Sequence, residues 1–140
     1  MPDPFQTTRR VEFRDTDAAG IVHFSVFFVW MEEAEHELLR HVGLSVFLTD
    51  ERGTITWPRV AARCDYRQSV RFEETVRIEV RVLRLGTKSV AYDFQFRTER
   101  GVLASGEMTA VCCRVLADGS LESISVPDII RQKLAPLLAP

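Results

Sequence analysis

Apolar residues recur along this chain with two different periods, and the change between them falls at Trp57. Upstream, Phe27, Trp30, Met31, Ala34 and Leu38 are spaced to share one face of a helix. Val26, Phe28 and Val29 widen that face almost all round the first turns, while Glu32, Glu33, Glu35, His36 and Glu37 make the second half polar. The spacing predicts a helix from an N-cap at Ser25 to about Val42, with Gly43 in the usual place just past the end. Downstream the period is two. Val60, Ala62, Cys64 and Tyr66 form one apolar row, followed by Val76, Ile78, Val80 and Val82, then by Val90, Tyr92, Phe94 and Phe96. Leu103 to Leu116 reads as one long strand, and Thr7 to Phe13 as a first strand with Val11 and Phe13 on the same face.

Turn chemistry punctuates these runs. Leu85-Gly86-Thr87, Glu99-Arg100-Gly101 and Asp118-Gly119 join strands through connections too short for crossover helices, so those strands pair antiparallel. Leu44 to Thr56 reads as a connection containing the turn Asp50-Glu51-Arg52-Gly53, and Pro127-Asp128 opens a short helix to Leu138, interrupted at Pro136. One apolar helix and one antiparallel sheet make an α+β domain, with the helix packed into the sheet's concave face. A single-helix core leaves sheet edges and the helix start in need of cover, so at least a homodimer is expected.

Composition narrows the class without changing this picture. The 140 residues are expected to form one domain spanning 1–140, and 46% hydrophobic with 27% charged residues is ordinary for a globular protein. A net charge of −2 gives no basis for nucleic-acid or anionic-membrane binding. Cys64, Cys112 and Cys113 are odd in number, and two are adjacent, which argues for a reducing compartment rather than a disulfide scaffold. One of the adjacent pair is expected in the core and the other facing outward. No signal peptide is legible at the N-terminus, and no apolar run approaches membrane-spanning length, so a cytoplasmic protein is expected.

Candidate chemistry sits in the turn before the long helix, Asp15-Thr16-Asp17-Ala18-Ala19-Gly20-Ile21-Val22-His23-Phe24. A helix start offers unpaired N–H donors and about half a positive charge, which suits an oxygen gaining negative charge. A carboxylate beside it can attack a carbonyl or deprotonate water without a metal. Asp15 is expected to be structural, bonding turn N–H groups or pairing with Arg14. His36-Glu37-Leu38-Leu39-Arg40-His41 mimics a zinc motif but spaces its histidines five apart, off a common helical face, so no metal is expected.

This element order, with Asp15 to Phe24 and the following Trp30-Met31-Glu32-Glu33-Ala34, resembles the hotdog-fold acyl-CoA thioesterases, and more narrowly their 4-hydroxybenzoyl-CoA thioesterase branch. The similarity continues through Glu51-Arg52-Gly53, Trp57-Pro58, Phe72-Glu73-Glu74 and Lys88-Ser89. It implies an antiparallel five-stranded sheet wrapped around one long central helix. It also implies hydrolysis of an acyl-CoA thioester at the interface of a homodimer, with dimers pairing into a homotetramer. Coenzyme A is then part of the substrate, and no separate cofactor is implied. Asp17 matches the catalytic carboxylate, as nucleophile or general base, and Phe24 the residue whose backbone N–H polarises the thioester carbonyl. His23 matches a variable pocket position. Glu32 falls where an acid meets the far end of the acyl group, and Trp57 where it reshapes that pocket. Lys88 and Ser89 match a stretch contacting the nucleotide phosphates. A hotdog dehydratase or a non-catalytic acyl-CoA sensor is the alternative within the fold; thiol release and olefin hydration separate the three.

Overall fold

A computed structural model describes residues 3–140. β1 (Phe5–Arg10) leads through a 3-10 turn (Phe13–Asp15) and the acidic loop into α1 (Val26–His41). The strands β2 (Leu48–Asp50), β3 (Gly53–Thr56), β4 (Arg59–Tyr66), β5 (Thr75–Leu85), β6 (Ser89–Thr98), β7 (Gly101–Val111), β8 (Cys113–Val115) and β9 (Leu121–Ser123) follow. α2 (Asp128–Leu134) and a 3-10 turn (Ala135–Leu137) end the chain. The main sheet has five strands in the order β1-β5-β6-β7-β4, every neighbour antiparallel. α1 lies along it as the long central helix, so the α+β hotdog arrangement holds.

The buried faces follow the predicted period. Val76, Ile78, Val80 and Val82 of β5 and Val90, Tyr92, Phe94 and Phe96 of β6 join Phe27, Trp30, Met31, Ala34 and Leu38 of α1 in one core. Gly106 of β7 lets the helix come close. A Cβ built there meets the Met31 Sδ at 2.5 Å and its Cε at 2.9 Å, and Met31 is fully buried.

Five local expectations are corrected. Val11 and Phe13 do not share a strand face: β1 stops at Arg10, and Val11 exchanges hydrogen bonds with Glu73 and Glu74. The chain then curls into the 3-10 turn, leaving Val11 buried and Phe13 exposed. The 44–56 connection contains a hairpin, β2–β3. The strand expected from Leu103 to Leu116 breaks at Cys112, and its two parts enter different sheets, β8 pairing with β3 and β9 in a small four-stranded sheet. Both Cys112 and Cys113 are buried, because this crossing between sheets gives neither an outward face. Finally, Val60 and Ala62 of β4 are exposed, Val60 by 62%. β4 is an edge strand with a single neighbour, and within one chain the Val60–Ala62 end of its apolar row is open, while Cys64 packs on the core and Tyr66 against Phe27.

Candidate active site

The acidic loop is sewn in place by main-chain bonds. Val22 N–H donates to the Val70 carbonyl at 2.9 Å, and Thr16 and Ile21 form isolated bridges with Val22 and Arg71. Within the loop, Asp17 N–H donates to the Ile21 carbonyl at 2.8 Å and Gly20 N–H to the Asp17 carbonyl at 2.9 Å. Gly20 has φ +81°, a left-handed conformation that a side chain would strain. Asp15 serves the turn, its Oδ2 accepting from Glu12 N–H at 2.8 Å.

Asp17 is half-buried and divides its two oxygens between different tasks. Oδ1 accepts from Ala19 N–H at 2.8 Å and weakly from Ile21 N–H at 3.4 Å. Among the described residues, Oδ2 has no partner and remains available for chemistry.

The entry to α1 is pinned almost atom by atom. His23 N–H donates to the Asp15 carbonyl at 2.8 Å, and Val26 N–H to the His23 carbonyl at 3.0 Å. The Phe24 carbonyl accepts from the Tyr66 hydroxyl at 2.8 Å. Ser25 N–H donates to His23 Nδ1 at 3.2 Å, and the Ser25 carbonyl accepts from Phe28 N–H at 3.1 Å. Ser25 occupies the N-cap position without capping through its side chain; its Oγ instead lies 2.8 Å from His23 Nδ1. Among the described residues, and of the main-chain N–H groups from His23 to Val26, that of Phe24 is the one left without an acceptor; the Phe27 N–H, in the first turn of α1, has none either.

Asp17 and Phe24 line the same open cleft of about 320 Å³, with apolar walls from Ile21, Val22, Phe27 and Val70. Its far side is the end of β4 and the segment after it, Tyr66 to Ser69.

That cleft joins a carboxylate to a free donor at the positive end of a buried helix, inside the fold described above. A family profile described as the thioesterase-like superfamily matches residues 11–134. The chain belongs to that superfamily. It is 32% identical over 111 residues to a 1,4-dihydroxy-2-naphthoyl-CoA hydrolase of Prochlorococcus marinus (strain MIT 9303), covering 74% of each. The solved structure of a gentisyl-coenzyme A thioesterase is similar at 27% identity and a TM-score of 0.76, over 94% of this chain and 99% of that one. A 1,4-dihydroxy-2-naphthoyl-CoA thioesterase from Synechocystis shares the fold with a TM-score of 0.81 at 20% identity, over 97% and 98% of the two chains. The protein is accordingly an acyl-CoA thioesterase in the general sense of that superfamily. Among the described residues, no group of three or more His, Cys, Asp and Glu side chains is placed to hold a metal ion. Among the described residues of the thioesterase, no helix is long and apolar enough to cross a membrane.

The other residues expected at the site lie apart from the cleft. His23 stands beside it, its ring stacked on that of Phe24 at 4.6 Å between centroids. Glu32 is exposed on α1, 3.7 Å from Arg59, and Trp57 packs against the core just before β4. Lys88 and Ser89 lie at the start of β6; Lys88 is exposed, and its carbonyl accepts from Cys112 N–H at 2.7 Å. The turn before them is braced by Arg131, which donates to the Gly86 carbonyl at 2.8 Å.

Two features escaped the sequence reading. Tyr66 is a wall of the cleft rather than a core residue, and its hydroxyl reaches the helix entry. Glu35, expected on a solvated face, is only 2% exposed and is gripped by both terminal nitrogens of Arg59, one bond being 2.9 Å. Burial pushes the Glu35 carboxyl up, to about 7, against the attraction of Arg59. His36 is held below the ordinary imidazole range, chiefly by desolvation. Both belong to a polar seam joining the middle of α1 to β4.

Proposed function

We propose that this thioesterase hydrolyses an aromatic acyl-CoA, with Asp17 as the attacking or base carboxylate and the Phe24 N–H as the carbonyl donor. The observation that carries this reading is the unengaged N–H of Phe24, a residue that lines the same cleft as Asp17 at the start of α1. A donor held in place before the reaction stabilises charge in the transition state with little reorganisation. The thioester carbonyl oxygen takes this bond, and the positive end of α1 adds to it. Asp17 Oδ2 then has two routes. As nucleophile it attacks the carbonyl carbon, the C–S bond breaks, coenzyme A leaves as thiolate, and water hydrolyses the mixed anhydride. As general base it takes a proton from the water that attacks. Thiolate is a good leaving group, so neither route needs a strong general acid.

The aromatic class is supported by the relatives, whose names carry dihydroxynaphthoyl and gentisyl groups, and by the Phe24, Phe27 and Tyr66 rings along the cleft. Reading Glu32 and Trp57 as acyl-end residues, and Lys88 with Ser89 as phosphate contacts, requires a second copy, because one chain leaves them off the cleft. A homodimer that covers the open row of β4 meets that need, and pairing of dimers into a tetramer extends it.

The experiment is thiol release from a panel of benzoyl-, 4-hydroxybenzoyl-, gentisyl-, hexanoyl- and palmitoyl-CoA. Turnover at least about tenfold faster on the aromatic esters is the expected result. Equal or faster turnover of the aliphatic esters overturns the substrate class, and tight binding without thiol release identifies a sensor.

A further inference from the structure

We propose that Tyr66 is a positioning residue for the reaction, its hydroxyl fixing the Phe24–Ser25 peptide so that the preceding Phe24 N–H stays aimed into the cleft. The proposal rests on the reading of Phe24 as the carbonyl donor. Three observations carry it. The first is the bond itself: the hydroxyl donates to the Phe24 carbonyl at 2.8 Å, across 42 residues of chain. It ties the outer strand β4 to the entry of α1.

The second is what else holds that carbonyl. Phe24 lies ahead of the helix and is 61% exposed, so its carbonyl receives none of the first intrahelical bonds. The peptide before it is held by His23 N–H to Asp15 and Val26 N–H to His23, and the serine after it by its N–H to His23 Nδ1. The Phe24 N–H lies in the His23–Phe24 peptide plane, whose rotation is governed by His23 ψ on one side and Phe24 φ on the other, so it is fully fixed only when the Phe24–Ser25 peptide is held as well. On the Ser25 side, among the described residues, the Tyr66 hydroxyl makes the one hydrogen bond to that peptide from outside the local run.

The third is the placement of the ring. Tyr66 packs edge-on against buried Phe27, with centroids 5.3 Å apart, and lines the cleft with Asp17 and Phe24. The ring is held by the helix whose entry the hydroxyl orients. Desolvation pushes the phenol up to about 12, so the hydroxyl keeps its proton and acts as a donor throughout the neutral range. It neither gives up nor receives a proton in turnover.

The test is Tyr66→Phe, which keeps the ring against Phe27 and deletes only the hydroxyl. kcat and KM are measured on the fastest ester of the panel above. Expected is a fall in kcat of about tenfold, with KM moved less than about twofold and the pH profile unshifted. A second readout separates positioning from packing. The same ester, labelled with 13C at its carbonyl, is bound to Asp17→Asn and to Asp17→Asn/Tyr66→Phe, and its carbonyl stretch is recorded by infrared difference spectroscopy. A carbonyl polarised by the Phe24 N–H absorbs at lower frequency than the free ester, and part of that downshift is expected to disappear without the hydroxyl. Wild-type kcat in Tyr66→Phe, or an unchanged bound stretch, overturns the role of Tyr66 while leaving Phe24 as donor. If the ester bound to Asp17→Asn shows no downshift at all, the donor reading of Phe24 fails first.

Discussion

Arg59 of β4 grips the buried carboxylate of Glu35 on α1 with both terminal guanidinium nitrogens, 24 residues along the chain. This pair crosses from the central helix to a strand that has a single neighbour in the sheet. Arg59 also lies 3.7 Å from Glu32. Loss of the arginine and loss of the acid should therefore differ. Arg59→Leu leaves a buried charge alone and is expected to lower unfolding stability by about 3 kcal/mol at pH 8. Glu35→Gln leaves Arg59 with Glu32 and partial solvent contact and costs less. In the double variant Glu35→Leu/Arg59→Leu, most of the loss is recovered. Denaturant unfolding at fixed protein concentration orders the three variants, and a costlier glutamine than leucine would refute the asymmetry.

The same carboxyl gives the stability a defined pH dependence. Glu35 keeps its proton in the folded chain up to about pH 7, whereas its ordinary value is 4.5. Between those values the folded state holds a proton the unfolded state has lost, so stability falls as pH rises. The contribution is present in full below the unfolded value and is lost as pH passes through the folded one. Its size is at most about 3 kcal/mol. The difference in unfolding free energy between wild type and Glu35→Gln, followed from pH 4 to 8, isolates this group. A difference that stays flat over that range contradicts the assignment.

Gly106 sets how closely α1 approaches the sheet. With Met31 at 2.5 Å from a Cβ built there and the Arg63 carbonyl at 3.3 Å, Gly106→Ala must displace the helix or the methionine. Overpacking of this kind costs about 1–3 kcal/mol, which a lowered thermal midpoint would register. An unchanged midpoint means that Met31 rearranges freely.

What could be read from the sequence was whatever depended on near neighbours. The rows of β5 and β6 alternate cleanly because both strands lie inside the sheet, with one face on the helix, so period and burial agree. β4 alternates as well, yet its row is open at Val60 and Ala62; periodicity reports two faces and is silent about whether anything covers either. That Asp17 and Phe24 lie beside one another was legible because the loop and the helix entry are consecutive in the chain. Tyr66 was not, since its bond to Phe24 spans 42 residues. Glu35 was misread for the same reason. Among five polar residues it looked like part of a solvated face, and the arginine that accompanies it into the interior comes from another strand. The split of β7 from β8 at Cys112 left no mark either, because an apolar strand can change sheets without altering its alternation.

In the proposed mechanism Asp17 performs the attack or activates the water. Asp17→Asn tests it with little structural cost, because an asparagine oxygen can still accept from Ala19 N–H as Asp17 Oδ1 does at 2.8 Å. The acidic loop keeps its shape and only the charge and basicity are lost. The measurement is kcat for thiol release on the fastest ester of the acyl-CoA panel, wild type against Asp17→Asn. A fall of at least about a hundredfold, with the fold and substrate binding retained, is the predicted result. Turnover within a few-fold of wild type would contradict that role for Asp17.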